Sequence, residues 1–263
     1  PESVGMVTVS GTGSELDDTL GVLVAEEGRG MLTIRNGAVV NDSYGRVGSF
    51  PGSSGTVILS GPGSAWNNTT TLDVGINGTG TLTVNNAGLV AAGTIQSPGT
   101  IDIGTHGTVD AKGGTLIGNV FNDGTFDPLG TATVDGGFTL NPDGTLSLDV
   151  AGTGVGQYGV LAVSDFGTFD GTLGIDFIDG FAPLQGDVFD FINDPGGAGF
   201  NWAGIDILGL QPGFEYSTNF TNGQFTLTAL NNGVSESPEP GTLILLGSGL
   251  LGAAWCYRRR GSA

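Results

Sequence analysis

Cysteine is almost missing from this chain: Cys256 is the single one in 263 residues. One thiol closes no intramolecular disulfide and builds no thiolate metal cluster. A cysteine-free body fits an exported bacterial protein that does without disulfides. Histidine is equally scarce, with His106 alone. Cations are the third shortage, since Lys and Arg total 7 against 26 acids, for a formal net charge of −19. Three of the seven are Arg258, Arg259 and Arg260, which leaves Arg29, Arg35, Arg46 and Lys112 for the rest of the chain. Such a chain has no basic surface to displace counterions from phosphates, which excludes nucleic acid as a partner. Helical periodicity with caps is absent before the C-terminal tail. Asp-rich GGxGxD repeats, the mark of a calcium-bound roll, are absent as well. No charged-then-apolar leader stands at Pro1-Glu2-Ser3, so the reading is that a leader has been removed or that the sequence is a fragment.

What is abundant is glycine, at 51 residues, without the strict every-third-residue period of collagen. Charged residues make up only 13%, which is not the profile of a disordered acidic tail. The body repeats itself. Residues 7–40, "VTVSGTGSELDDTLGVLVAEEGRGMLTIRNGAVV", align without a gap on residues 57–90, "VILSGPGSAWNNTTTLDVGINGTGTLTVNNAGLV", at an offset of 50. Ser10-Gly11 falls on Ser60-Gly61, Gly28 and Gly30 on Gly78 and Gly80, and Asn36 on Asn86. A fixed period of this size with strand-like content predicts a solenoid, in which each unit buries its apolar face only by stacking on its neighbours.

Within a unit apolar residues alternate: Val7 and Val9, Val22 and Val24, Leu32 and Ile34. That spacing predicts three strands per unit separated by Gly-, Asn- and Ser-rich corners. The expected fold is therefore all-β, a right-handed parallel β-helix or solenoid, with a β-propeller as the structural rival. Clear repeats fill residues 1–99. A looser solenoid continues through 100–230, with rungs rich in Phe such as Phe177, Phe189, Phe191 and Phe225. The stretch 231–237, "NNGVSES", reads as a polar linker.

Catalytic chemistry has little to work with. His106, in "GTHGT", sits in a Gly-bounded corner without a triad partner at any telling spacing. Carboxylates are many: Asp17-Asp18, Glu26-Glu27, and Asp165, Asp170, Asp176 and Asp179. A glycosidase needs two of them about 5–10 Å apart. The second repeat, however, replaces Asp17-Asp18 by Asn67-Asn68 and Glu26-Glu27 by Ile76-Asn77, as solvated corners allow. A polysaccharide lyase would want a cationic base beside a calcium site, and Arg29, Arg35 and Lys112 lack an Asp cluster at ligand spacing. The sequence predicts no catalytic residues, no metal site and no cofactor beyond weak Ca2+ binding at acidic corners. Asn77-Gly78-Thr79 and Asn219-Phe220-Thr221 match glycosylation sequons but read as turn chemistry.

The tail, "SPEPGTLILLGSGLLGAAWCYRRR", is of another kind. Pro238 and Pro240 stop any helix from extending upstream, and residues 242–257 form an apolar run of 16. At about 1.5 Å per helical residue this reaches roughly 24 Å. Trp255 and Tyr257 suit a membrane interface, and Arg258, Arg259 and Arg260 act as a stop that stays cytoplasmic. A single transmembrane helix over 242–257 is the expectation, with Ser248/Gly252 and Gly249/Ala253 as small pairs for helix–helix approach.

Pro238-Glu239-Pro240, the apolar run and the arginines together resemble the PEP-CTERM sorting signal of Gram-negative, biofilm-forming bacteria. The resemblance implies that Pro238, Glu239 and Pro240 are the recognition element for an exosortase-type membrane peptidase, which detaches the body from a temporary anchor. The repeats, notably "SGPGSAW" and "GTGTLTV", resemble those of autotransporter passengers and PEP-CTERM-associated β-solenoids. The expected role is that of a non-enzymatic structural or adhesive protein. It is exported, held transiently in the inner membrane by the helix, then placed at the cell surface or in the extracellular matrix, with extracellular polysaccharide as partner. The alternative is a carbohydrate-active β-helix enzyme.

Overall fold

The computed structural model describes residues 3–197 and 199–233, and no helix occurs among them. Nine strands stack in one sheet: Val4–Ser10, Arg29–Arg35, Ser54–Ser60, Thr79–Asn85, Gly107–Lys112, Thr125–Pro128, Thr145–Val150, Thr172–Phe177 and Gly204–Leu208. Every neighbouring pair is parallel, so the chain rises as a β-solenoid of the right-handed type. Between these strands it returns along a second flank, where the ladders between rungs are parallel as well until the C-terminal end.

The register corrects the expected unit. Val7 lies beside Leu32, Leu32 beside Val57, and Val57 beside Leu82, so one rung takes 25 residues and the 50-residue period is two rungs. Val7 and Leu32 therefore occupy one column rather than separate strands of one layer. The longer period arises because neighbouring rungs carry different corners. Odd rungs turn on Gly11 and Gly13 or Gly61 and Gly63; even rungs turn on Asn36 and Gly37 or Asn86 and Ala87, all with positive φ. The two kinds interlock, for Asn36 Nδ2 donates to Ser10 Oγ at 3.1 Å and Gly37 N to Ser64 Oγ at 3.0 Å. Later rungs abandon the constant length, with steps of 27, 17, 20, 27 and 32 residues.

Alternation sends every second side chain inward. One interior column runs Leu32, Val57, Leu82, Val109, Phe126, Leu146 and Leu173, all buried. Among the described residues the first rung has a neighbour on one side only, and its Val7 is 51% exposed against 2% for Leu32 above it. Stacking, not the residue type, buries these chains. On the second flank Val40, Trp66 and Val90 share a column. Trp66 is fully buried, and its Nε1 donates to Asp42 Oδ2 at 3.0 Å. Higher up, aromatics replace aliphatics: Phe138 stacks on Phe169 at 5.6 Å, and Phe169 on Phe200 at 4.7 Å. Asn122 enters this apolar column fully buried, with Nδ2 donating to the Thr145 carbonyl and Oδ1 accepting from Gly124 N.

A parallel stack has no natural end, because its last strand leaves a row of backbone groups unpaired. Here the second flank ends by reversal. Tyr216–Thr221 and Gln224–Ala229 form an antiparallel hairpin, and Gln224–Ala229 lies antiparallel on Val188–Asn193. Asn222 and Gly223 make the turn with φ of 53° and 75°, the conformation that Asn-Gly hairpins adopt.

Gly223 tests that closure. A Cβ there would meet the Asp194 carbonyl, whereas one on Gly52, also at positive φ, would meet open space. Gly52→Ala should cost about 1 kcal/mol. Gly223→Ala should cost about 3 kcal/mol or more, adding collision to strain. Urea unfolding followed by tryptophan fluorescence measures both, since Trp202 packs on Phe225 of the hairpin.

Candidate functional site

Stacking turns residue types into lines. On the outer face of the nine-stranded sheet, Thr56, Thr81, Thr108, Thr125, Thr145 and Thr172 stand in register on six consecutive rungs. With strands about 4.8 Å apart the row is roughly 24 Å long. All six are half-buried, and no hydroxyl of the six has a hydrogen-bond partner among the described residues. The row presents an evenly spaced line of methyl and hydroxyl groups along the solenoid axis.

Two residues further along the same strands the line changes chemistry. Asp110 lies beside Asp127 there, and on the next two rungs, four residues past Thr145 and Thr172, Asp149 lies beside Asp176. Burial, with Asp149 and Asp110 close by, pushes the Asp127 carboxyl up to about 6, although Lys112 opposes the rise. Burial and Asp176 likewise raise Asp149. Asp102 is raised first by burial and then by Asp73 and Asp123. Asp73 is engaged by Arg46, whose Nε lies 3.1 Å from Asp73 Oδ2. Inside the second flank, burial raises Asp42 against the hydrogen bonds from Trp66 and the Val22 amide. Asp194 is fully buried and raised by burial, while its carboxylate holds the Gly167 and Gly196 amides.

The second flank carries a groove. One outward column there runs Asp17, Asn41, Asn67, Ala91, Ile117 and Asp135. Its lower half is an amide ladder: Asn67 Nδ2 donates to Asn41 Oδ1 at 2.8 Å, and Asn41 Nδ2 to Asp17 Oδ1 at 2.7 Å. Beside it the chain rounds a corner in each rung, taking 3 residues from Asn41 to Tyr44, 4 from Asn67 to Thr71, 9 from Ala91 to Thr100 and 2 from Ile117 to Asn119. The surplus in the third of these folds back as a lip, where Ser97 and Pro98 pair antiparallel with Thr94 and Gly93. Lip and flank enclose a groove of about 660 Å³, within the roughly 300–1,000 Å³ common for ligand sites. Asn68, 1% exposed, lies in its lining; Nδ2 donates to the Ala91 carbonyl, and Oδ1 has no partner.

Of the residues singled out in the sequence, Asp17 anchors the amide ladder and Asp18 Oδ1 accepts from the Leu20 amide within a turn. Glu26 and Glu27 are exposed in a bend, and His106 is an exposed corner residue whose Nδ1 lies 3.1 Å from Thr105 Oγ1. Of Asp165, Asp170, Asp176 and Asp179, only Asp176 stands in register with another carboxylate, that of Asp149. Lys112 lies close enough to Asp127 and Asp149 to oppose their rise, while Arg29 and Arg35 belong to the second strand of the sheet. No group of three or more His, Cys, Asp and Glu among the described residues is placed to hold a metal ion. Sequence reasoning missed Asp42, Asp127 and Asp194, because nothing local separates a buried or half-buried Asp from a solvated one. Pro238, Glu239, Pro240, Arg258, Arg259, Arg260 and the transmembrane helix over 242–257 lie outside the described residues.

Comparison with known proteins matches residues 238–260 to the PEP-CTERM protein-sorting motif. The motif implies export and membrane-associated processing by an exosortase-type system. No curated protein and no solved structure matches the chain.

The raised carboxylates have a consequence for stability. A carboxyl raised by folding binds its proton more tightly in the folded chain than in the unfolded one, so its contribution is full in acid and lost as pH rises. For Asp127 the loss spans the interval from its ordinary value, 3.8, to about 6. The protein should be more stable at pH 5 than at pH 7.5. Asp127→Asn should raise stability at pH 7.5 by about 1–2 kcal/mol, discounted for partial solvent contact. The same variant should flatten the pH dependence of urea midpoints.

Proposed function

We propose that the chain is a non-enzymatic structural or adhesive protein of the extracellular matrix, released from its membrane anchor by an exosortase and held there by polysaccharide. The observation that carries the reading is the threonine row on a solenoid that ends in a sorting motif. A line of hydroxyls and methyls at constant spacing suits an extended, hydrated sugar chain, whose rings offer hydroxyl edges and apolar C–H faces. Net charge of −19 keeps copies apart in solution and steers them away from anionic polymers.

The enzymatic alternative has one observation in its favour, Asp127 raised to about 6 by burial with Asp149 and Asp110 close by. Raised carboxylates gather at catalytic sites, but stacked like charges produce them as well. These carboxylates stand on the outer face of a sheet, and the structural reading is preferred. Sugar release from a polysaccharide, abolished by Asp127→Asn, would overturn it.

Two measurements test the proposal. In a Gram-negative host carrying an exosortase, mass spectrometry of envelope and medium should find a mature body lacking residues 242–263. Replacing Pro238, Glu239 and Pro240 by alanine should leave membrane insertion intact and abolish that form. Equal processing of both would sink the recognition role. Thr108→Val, Thr125→Val and Thr145→Val combined keep the strand shape and remove hydroxyls. The triple variant should be retarded several-fold less than the parent in gels containing hydroxyethylcellulose.

A further inference from the structure

We infer that the groove under the lip at 93–99 is a binding site for a chain of uncharged sugars. This rests on the polysaccharide reading above and gives it a second, more selective site. The first observation is charge. In a chain with 26 acids, no Asp, Glu, Lys or Arg lines this groove. The column beneath it shows why, because Asn67, Ala91 and Ile117 occupy its rungs there while Asp17 and Asp135 stand beyond.

The second observation is the mixture of groups. Asn67, Thr69, Thr94, Gln96 and Ser97 supply amides and hydroxyls that both donate and accept. Leu89, Ile95 and Ile117 supply apolar surface among them, and Ile95 is 63% exposed on the lip. Sugar rings carry the same two chemistries, C–H faces and hydroxyl edges. An anionic glycan would bring charge to a site without a cation, on a protein of net charge −19. The third observation is construction. The lip exists only because one rung spends 9 residues on a corner that its neighbours round in 2 to 4. Its backbone is tied back by the Ser97 amide, which donates to Thr94 Oγ1 at 3.1 Å. A preformed wall loses less conformational entropy on binding than a loose loop would.

The test is affinity electrophoresis of the full chain in mild detergent, through gels containing hydroxyethylcellulose, dextran or alginate. The parent should be retarded by at least one neutral polymer and not by alginate. Ile95→Asp with Gln96→Ala, on an exposed lip, should weaken that retardation at least tenfold. Ile95→Val should keep it, and circular dichroism melts should show both variants folded. Retention unchanged in the double variant, but lost in the threonine triple variant, would overturn the groove and leave the polysaccharide reading standing. Retardation by alginate alone would overturn the choice of an uncharged ligand. No retardation of the parent in any gel would overturn the polysaccharide reading, and this site with it.

Discussion

Parallel register between successive rungs is the constraint on which the rest of the structure depends. Each rung has one apolar side and hides it only against the rung above or below, so Val7 at the first rung is half exposed while Leu32 beside it is buried. Parallel pairing puts residue on residue, and every inward position becomes a column that must stay apolar along its length. Where a polar residue enters, as Asn122 does, the stack supplies both its partners from neighbouring backbone. Corners obey the same constraint, because the Asn and Ser side chains that turn one rung hydrogen-bond to the turn of the next. Rung length is free to vary only where residues leave the stack outward, as they do in the lip.

The same register acts on charge. It multiplies whatever stands on the outer face, aligning threonines into an uninterrupted row and aspartates into two pairs, Asp110 on Asp127 and Asp149 on Asp176. A row of hydroxyls costs nothing electrostatically. Neighbouring carboxylates repel one another, and the raised Asp127 records burial first and that repulsion second. Lys112 relieves only part of it, since the body holds so few cations. Acid should therefore suit this fold better than neutral pH, the reverse of a protein whose carboxylates are paired with arginines.

Fold class was legible in the sequence because alternation is local: Leu32 and Ile34, or Val57 and Leu59, declare an inward face within three residues. Repetition was legible too, as was the sorting signal, whose parts are contiguous in the chain. The closing hairpin at Asn222-Gly223 was not read from the sequence, and the strand on which it closes, Val188–Asn193, lies far earlier in the chain. The 25-residue rung was hidden by alternating corners, which make a rung resemble its second neighbour more than its first. Asp127 reads like any other Asp until the stack buries it, with Asp110 in register beside it and Asp149 nearby. The groove depends on surplus residues at one corner and on an uncharged stretch of a column drawn from separate rungs. Alternation, repeats and motifs depend on near neighbours in the chain, so the sequence determined them. Column membership, burial of individual acids and the groove depend on which rung lies over which, and only the tertiary register decides that.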